Sequence, residues 1–106
     1  MNKVYSKNGI VIEKDYNNGL VLININQPNR GLKKLIEDKF NLNKDGEIAM
    51  DIVGDEGFQD YISDNGYMIE YSWNPWYPFQ LMAKNKESNK LLEEIFKWLQ
   101  TIDIPK

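Results

Sequence analysis

Two short apolar runs open the pattern, Gly9-Ile10-Val11-Ile12-Glu13 and Leu20-Val21-Leu22-Ile23-Asn24-Ile25-Asn26. Both are rich in β-branched residues and predict strands. Asp15-Tyr16-Asn17-Asn18-Gly19 separates them, and its Asn-Gly pair tolerates the positive φ of a hairpin turn. In the second run Leu20, Leu22 and Asn24 share one face, and Val21, Ile23 and Ile25 the other. Apolar residues on both faces predict a central strand. Gln27-Pro28-Asn29-Arg30-Gly31 stops it, because proline has no donor for the ladder. The period then changes. Leu32, Leu35, Ile36 and Phe40 fall at helical spacing, with Lys33, Lys34, Glu37, Asp38 and Lys39 between them. This predicts a short amphipathic helix with one buried stripe and a solvated charged face.

After the turn at residues 41–46, Glu47–Val53 alternates, placing Ile48, Met50 and Ile52 on one face of a third strand. Gly54-Asp55-Glu56-Gly57 breaks it. Residues 58–62 fit either a strand or one helical turn. Asn65-Gly66 favours a hairpin into Tyr67–Trp73, where Tyr67, Ile69, Tyr71 and Trp73 share a face. Asn74-Pro75-Trp76-Tyr77-Pro78-Phe79 is too rich in proline for regular structure and predicts a stiff loop presenting Trp76 and Tyr77. Gln80–Ala83 predicts a short edge strand. Ser88 or Asn89 is placed to cap a last helix, whose apolar face comprises Leu91, Leu92, Ile95, Phe96, Trp98, Leu99 and Ile102. Pro105 lies beyond it. The expectation is one α+β domain over residues 1–106. It would be an antiparallel sheet of four or five strands with two helices packed on one face.

Charge changes the picture. The segment Asp45–Ala83 holds eight of the chain's 16 carboxylates and none of its 13 basic residues. Its formal charge is −8, against +5 for the remainder. Eight aromatic residues lie in the same segment, among them Tyr61, Trp73, Trp76 and Tyr77. Acid interleaved with aromatic surface suits docking of a basic protein: charge steers the encounter and desolvated rings hold the complex. The competing reading is plain: rings in the core, acids solvated outside.

The chain has neither Cys nor His. This removes disulfides, thiolate and imidazole chemistry, and nearly every zinc site. No phosphate loop or dinucleotide fingerprint occurs. The acids lack the order of a helix–loop–helix calcium site. The expectation is therefore no enzyme activity and no cofactor. A sequence pI of about 4.9 argues against nucleic acid as a direct ligand. No apolar run approaches the roughly 20 residues of a membrane span. Met1–Lys7 lacks the apolar core of a signal peptide, so a cytoplasmic location is expected.

Asn89-Lys90-Leu91-Leu92-Glu93-Glu94-Ile95-Phe96-Lys97-Trp98-Leu99 resembles the closing helix of bacterial polymorphic-toxin immunity proteins. In one such family that helix has the form Asn-Leu-x-x-Ile-Leu-x-x-Phe-x-x-Trp. Gly9–Glu13 and the hairpin into Leu20–Ile23 are similar to its opening strands. Together these cover about a third of the chain. Asn17-Asn18-Gly19-Leu20 stands where the family has Asn-Pro-Gly-Trp, and its aromatic N-terminal helix has no counterpart. The resemblance assigns no binding residues. It implies an immunity protein that neutralises a cognate toxin domain, with carboxylates standing in for phosphates in a basic nuclease cleft. Charge and aromatic placement make Asp51, Asp55, Glu56, Asp60 and Asp64 the candidate charges, and Tyr61, Trp76 and Tyr77 the anchors. The alternative is a small carbohydrate-binding or carboxylate-dependent hydrolytic module using Trp73, Trp76 and Tyr77. A third is an adaptor without a distinctive site.

Overall fold

The computed structural model describes residues 3–5, 10–15, 17–26 and 29–102. The expectations placed on Met1–Lys7 as a leader, Gly9, Gln27-Pro28 and Pro105 concern residues outside these ranges or described only as backbone. The fold is α+β. Its strands are β1 (Lys3–Tyr5), β2 (Ile10–Lys14), β3 (Val21–Ile25), β4 (Asn43–Lys44), β5 (Ala49–Asp51), β6 (Glu56–Ile62), β7 (Met68–Trp73) and β8 (Phe79–Ala83). Its helices are α1 (Arg30–Lys39), between β3 and β4, and α2 (Asn89–Leu99), after β8.

All strands join one antiparallel sheet in the order β1-β2-β3-β8-β7-β6-β4, with β5 also paired to β6. The expected four or five strands are thus an undercount. The sheet is seven strands wide, because β4 and β5 share the outer edge of β6. The extra width has two sources. Lys3–Tyr5 pairs with β2, and the turn region after α1 supplies β4.

β3 is central, as its two apolar faces predicted. β8 was expected at an edge and is central too, seated between β3 and β7. It pairs along both edges, with Phe79, Leu81 and Ala83 buried on one face and Gln80 and Met82 half-buried on the other. The 58–62 ambiguity resolves as a strand. The β6–β7 hairpin closes through Ser63 and Tyr67, with Gly66 at φ +85° in the turn.

One core joins Ile10, Val21, Ile23, Ile25, Ile69, Phe79, Leu81 and Ala83 of the sheet to Leu32 and Ile36 of α1 and Leu92, Ile95 and Leu99 of α2. Register places these strand residues on one face: Ile10 opposite Ile25, Ile25 opposite Phe79, Ile69 opposite Ala83. Both helices therefore cover the same side, as expected. The opposite face carries a polar ladder, in which Ser72 Oγ donates to Gln80 Oε1 (3.3 Å) and Gln80 Nε2 donates to Asn24 Oδ1 (3.0 Å).

Three helix expectations need correction. Leu35 is exposed, so the α1 stripe narrows to the buried Leu32 and Ile36 and the half-buried Phe40 at its end. Neither Ser88 nor Asn89 caps α2 with its side chain. Instead Ser88 Oγ accepts from the Met68 amide (2.8 Å), and Asn89 clasps the first hairpin, accepting from Val21 N (2.8 Å) and donating to Gly19 O (2.9 Å). Trp98 is half-buried, edge-on to Phe40 at 5.6 Å between ring centroids, and so ties the two helices together. The α1 cap is built locally: Asn29 accepts from the Leu32 amide at 2.9 Å.

Candidate functional site

α2 packs over β3 and β8, and α1 runs from the end of β3 toward the far edge of the sheet. Between α1 and that edge the sheet is left uncovered. The gap is a cleft of about 660 Å³. Tyr61, Tyr71, Trp73 and Gln59 form its floor, Arg30, Lys33, Lys34 and Glu37 its α1 wall, and Ile48, Met50, Ile52, Asp51, Asp55 and Glu56 its outer wall.

The floor is set by close packing. Tyr71 lies 5.3 Å from Trp73 and 5.1 Å from Phe79 between ring centroids. Trp73 crosses Gly57 so closely that a Cβ there would stand 2.5 Å from the indole and 2.5 Å from the Ala49 carbonyl oxygen. Glycine at 57 is what lets the ring lie flat on β6.

The α1 charges are not merely solvated, contrary to expectation. Glu37 Oε1 accepts from Lys33 Nζ (2.8 Å) and from the Tyr61 hydroxyl (2.5 Å). Lys33 also sits 5.3 Å and 5.1 Å from the Tyr61 and Tyr71 ring centroids, a cation–π arrangement. Burial alone would raise the Glu37 pKa, but the bonds from Lys33 and Tyr61 outweigh it and hold the carboxyl low. Burial, followed by the bond to Glu37, pushes the Tyr61 hydroxyl well above its ordinary value. Tyr71 is also raised, chiefly by burial.

The predicted acids divide three ways. Asp51, Asp55 and Glu56 line the cleft together. Asp51 Oδ1 also braces its own turn by accepting from the Val53 and Gly54 amides (3.0 and 3.2 Å). Asp60 lies on the opposite sheet face, where Lys84 Nζ donates to it at 2.5 Å. Its neighbour Glu70 is raised by burial and then by Asp60, with Lys84 opposing. Asp64 stands in the β6–β7 turn, at the other end of β6. Lys84 thus folds back on the acidic segment, and α1 sets cations across the cleft from its acids. The cleft is consequently bipolar: Arg30, Lys33, Lys34 and Lys44 line it with Glu37, Asp51, Asp55 and Glu56.

The predicted anchors also separate. Tyr61 is 2% exposed and belongs to the floor, so it cannot project as an anchor. Trp76 is 80% exposed and Tyr77 is also exposed. Their loop is folded by Asn74 Oδ1, which accepts from both amides (2.9 and 2.7 Å). The loop lies at the end of the sheet that also carries the β5–β6 turn, since Asp51 pairs with Glu56 and Gly57 with Trp73. Alternation placed Ile48, Met50 and Ile52 on one face of a third strand, which is shorter than expected, at Ala49–Asp51. All three are exposed, as is Val53, because no helix covers this edge.

Sequence reasoning missed Lys33, Glu37, Gln59 and Gly57. Only the Lys33–Glu37 spacing of four gave a local signal. Among the described residues no group of acidic side chains is placed to hold a metal ion, and no helix is long and apolar enough to cross a membrane. Comparisons with protein families, curated proteins and solved structures find no match.

Proposed function

We propose that the chain is an immunity-type binding protein that neutralises a cognate toxin domain, without chemistry of its own, by docking through the cleft and its rim. One observation carries this reading. Of the eight large apolar side chains exposed among the described residues, six surround this one end: Ile48, Met50, Ile52, Val53, Trp76 and Tyr77. Apolar surface concentrated in one place and edged by charge is the mark of a protein interaction site. Asp51, Asp55 and Glu56 supply the steering charge for a basic partner. The resemblance of α2 and the first hairpin to immunity proteins points the same way.

The test is mixing with the toxin domain encoded by the adjacent gene. A one-to-one complex with loss of the toxin's activity is the expected outcome. Full toxin activity in the presence of excess chain contradicts the reading. A second reading, a small carbohydrate ligand, draws on the cleft's size and aromatic floor, which fall in the range of small-molecule sites. Saturation-transfer NMR against an oligosaccharide panel separates the two.

A further inference from the structure

Gln59 is 3% exposed and lines the cleft floor. Its side-chain nitrogen donates twice, to the carbonyls of Gly46 (2.9 Å) and Asp60 (3.0 Å), which fixes the orientation of the amide. Its Oε1 has no hydrogen-bond partner among the described residues, and it is not one of the sealed, unsatisfied side-chain atoms, of which Asp60 Oδ1 is the single case described. A buried amide with a fixed, unpartnered oxygen reaching a cleft asks for a donor. Glu37 repeats the motif. Both of its bonds fall on Oε1, leaving its second oxygen without a partner among the described residues.

We propose that this cleft receives a guanidinium group, an arginine side chain of the partner. The inference rests on the reading of the chain as a toxin-binding protein and names the group that the cleft would take from the toxin. Guanidinium is planar, permanently charged and carries five donors in a fixed fork. Its fork can donate to Gln59 Oε1 and has donors to spare for the free Glu37 oxygen, while its face lies on Trp73, since Lys33 already stands over Tyr71. Asp51, Asp55 and Glu56 attract it from the outer wall. Arg30 stands on the α1 wall and has no ion pair among the described residues, so the incoming cation sits toward β5, away from it. Lys33 offers little repulsion, since Glu37 neutralises it.

The experiment is an NMR titration of the isolated chain with three blocked tripeptides, Gly-X-Gly, where X is arginine, citrulline or lysine. Citrulline keeps the shape and loses the charge; lysine keeps the charge and loses the fork. The expected result is saturable shifts of the Gln59 side-chain amide and the Trp73 indole with arginine, at least several-fold tighter than with either of the others. The exposed pair Asp55→Asn and Glu56→Gln should weaken binding several-fold without disturbing the fold, and Arg30→Gln should strengthen it. Equal responses to arginine and citrulline, or to arginine and lysine, overturn the proposal. So do shifts confined to Trp76, no shifts at all, or weaker binding by Arg30→Gln. The titration uses no toxin, so its failure is separate from failure of the complex to form.

Discussion

The Tyr61 hydroxyl and Glu37 hold each other in opposite protonation states, and stability should follow both. Tyr61 keeps its proton longer in the folded chain than in the unfolded one, so its contribution is complete below the ordinary tyrosine value of 10.0 and is lost as pH rises above it. Glu37 is held low, so its contribution is present above the ordinary 4.5 and is lost as pH falls below that value. Tyr61→Phe should cost about 1.5–3 kcal/mol at pH 7, as expected for a bond to a charged acceptor, and should remove the alkaline loss due to this group. Denaturant melts at pH 7 and above pH 10 check it. Glu70 runs the other way. Its raised value means that ionisation penalises the folded state as pH climbs through and above 4.5. Glu70→Gln should therefore raise the melting temperature at pH 7, with the gain vanishing in acid. Gly57→Ala should destabilise by roughly 1–3 kcal/mol, as overpacking does, and should shift tryptophan fluorescence because Trp73 must lift. None of these partnerships is visible from sequence. Tyr61 meets Glu37 across 24 positions, and Gly57 reads as a strand breaker until the ring above it is seen.

Elements whose apolar pattern reports burial against a neighbour were legible; those whose pattern reports something else were not. α2, β3 and the β6–β7 hairpin follow from periodicity and the Asn-Gly turns. β5 follows only in part: a strand forms within residues 47–53 but is cut to Ala49–Asp51, and Ile48, Met50 and Ile52 lie exposed on an edge that the fold leaves open. β8 was misplaced because strand order is a long-range property: the chain visits the far edge before returning to fill the centre. α2 starts where its cap candidates stand, with Ser88 at the N-cap position, but neither side chain makes the cap bond, because Ser88 serves β7 and Asn89 serves the first hairpin. A direct test follows. Asn89→Ala should cost about 1–3 kcal/mol by leaving Val21 N and Gly19 O unpaired. Asn89→Asp should cost no less, although aspartate is a good cap, because it places a carboxylate against the Gly19 carbonyl. Urea melts compare the two, and a neutral or stabilising Asp would restore the capping reading. Trp98→Ala should cost about 2–3 kcal/mol, toward the low end for buried aromatics, since the ring is only half-buried. Leu92→Ala, with its side chain fully enclosed, should cost at least as much.

At the scale of the whole molecule, the acidic segment visible in sequence becomes two separate regions. β6 runs from Glu56 to Ile62, so Asp55 and Asp64 sit roughly 25–30 Å apart along the strand at ~3.3 Å per residue. That exceeds the Debye length of about 10 Å at 0.1 M salt, and the two ends steer independently. Asp60 is already paired with Lys84. Among the described residues only the cleft end joins unpaired acid to exposed aromatic and aliphatic side chains, so there charge should set the on-rate and rings the off-rate. Trp76→Ala should speed dissociation and cost about 2 kcal/mol or more in binding if the ring is a hot spot. The most direct measurement is the stopped-flow association rate with the adjacent gene's toxin domain at low salt, for Asp55→Asn/Glu56→Gln beside Asp60→Asn/Asp64→Asn. The account predicts that the first pair slows association by several-fold or more, with the effect shrinking at ~1 M salt, where the Debye length is about 3 Å. It predicts little change for the second pair. A larger effect from the Asp60 and Asp64 pair, or none from either, would place the interface elsewhere and contradict the assignment of the cleft.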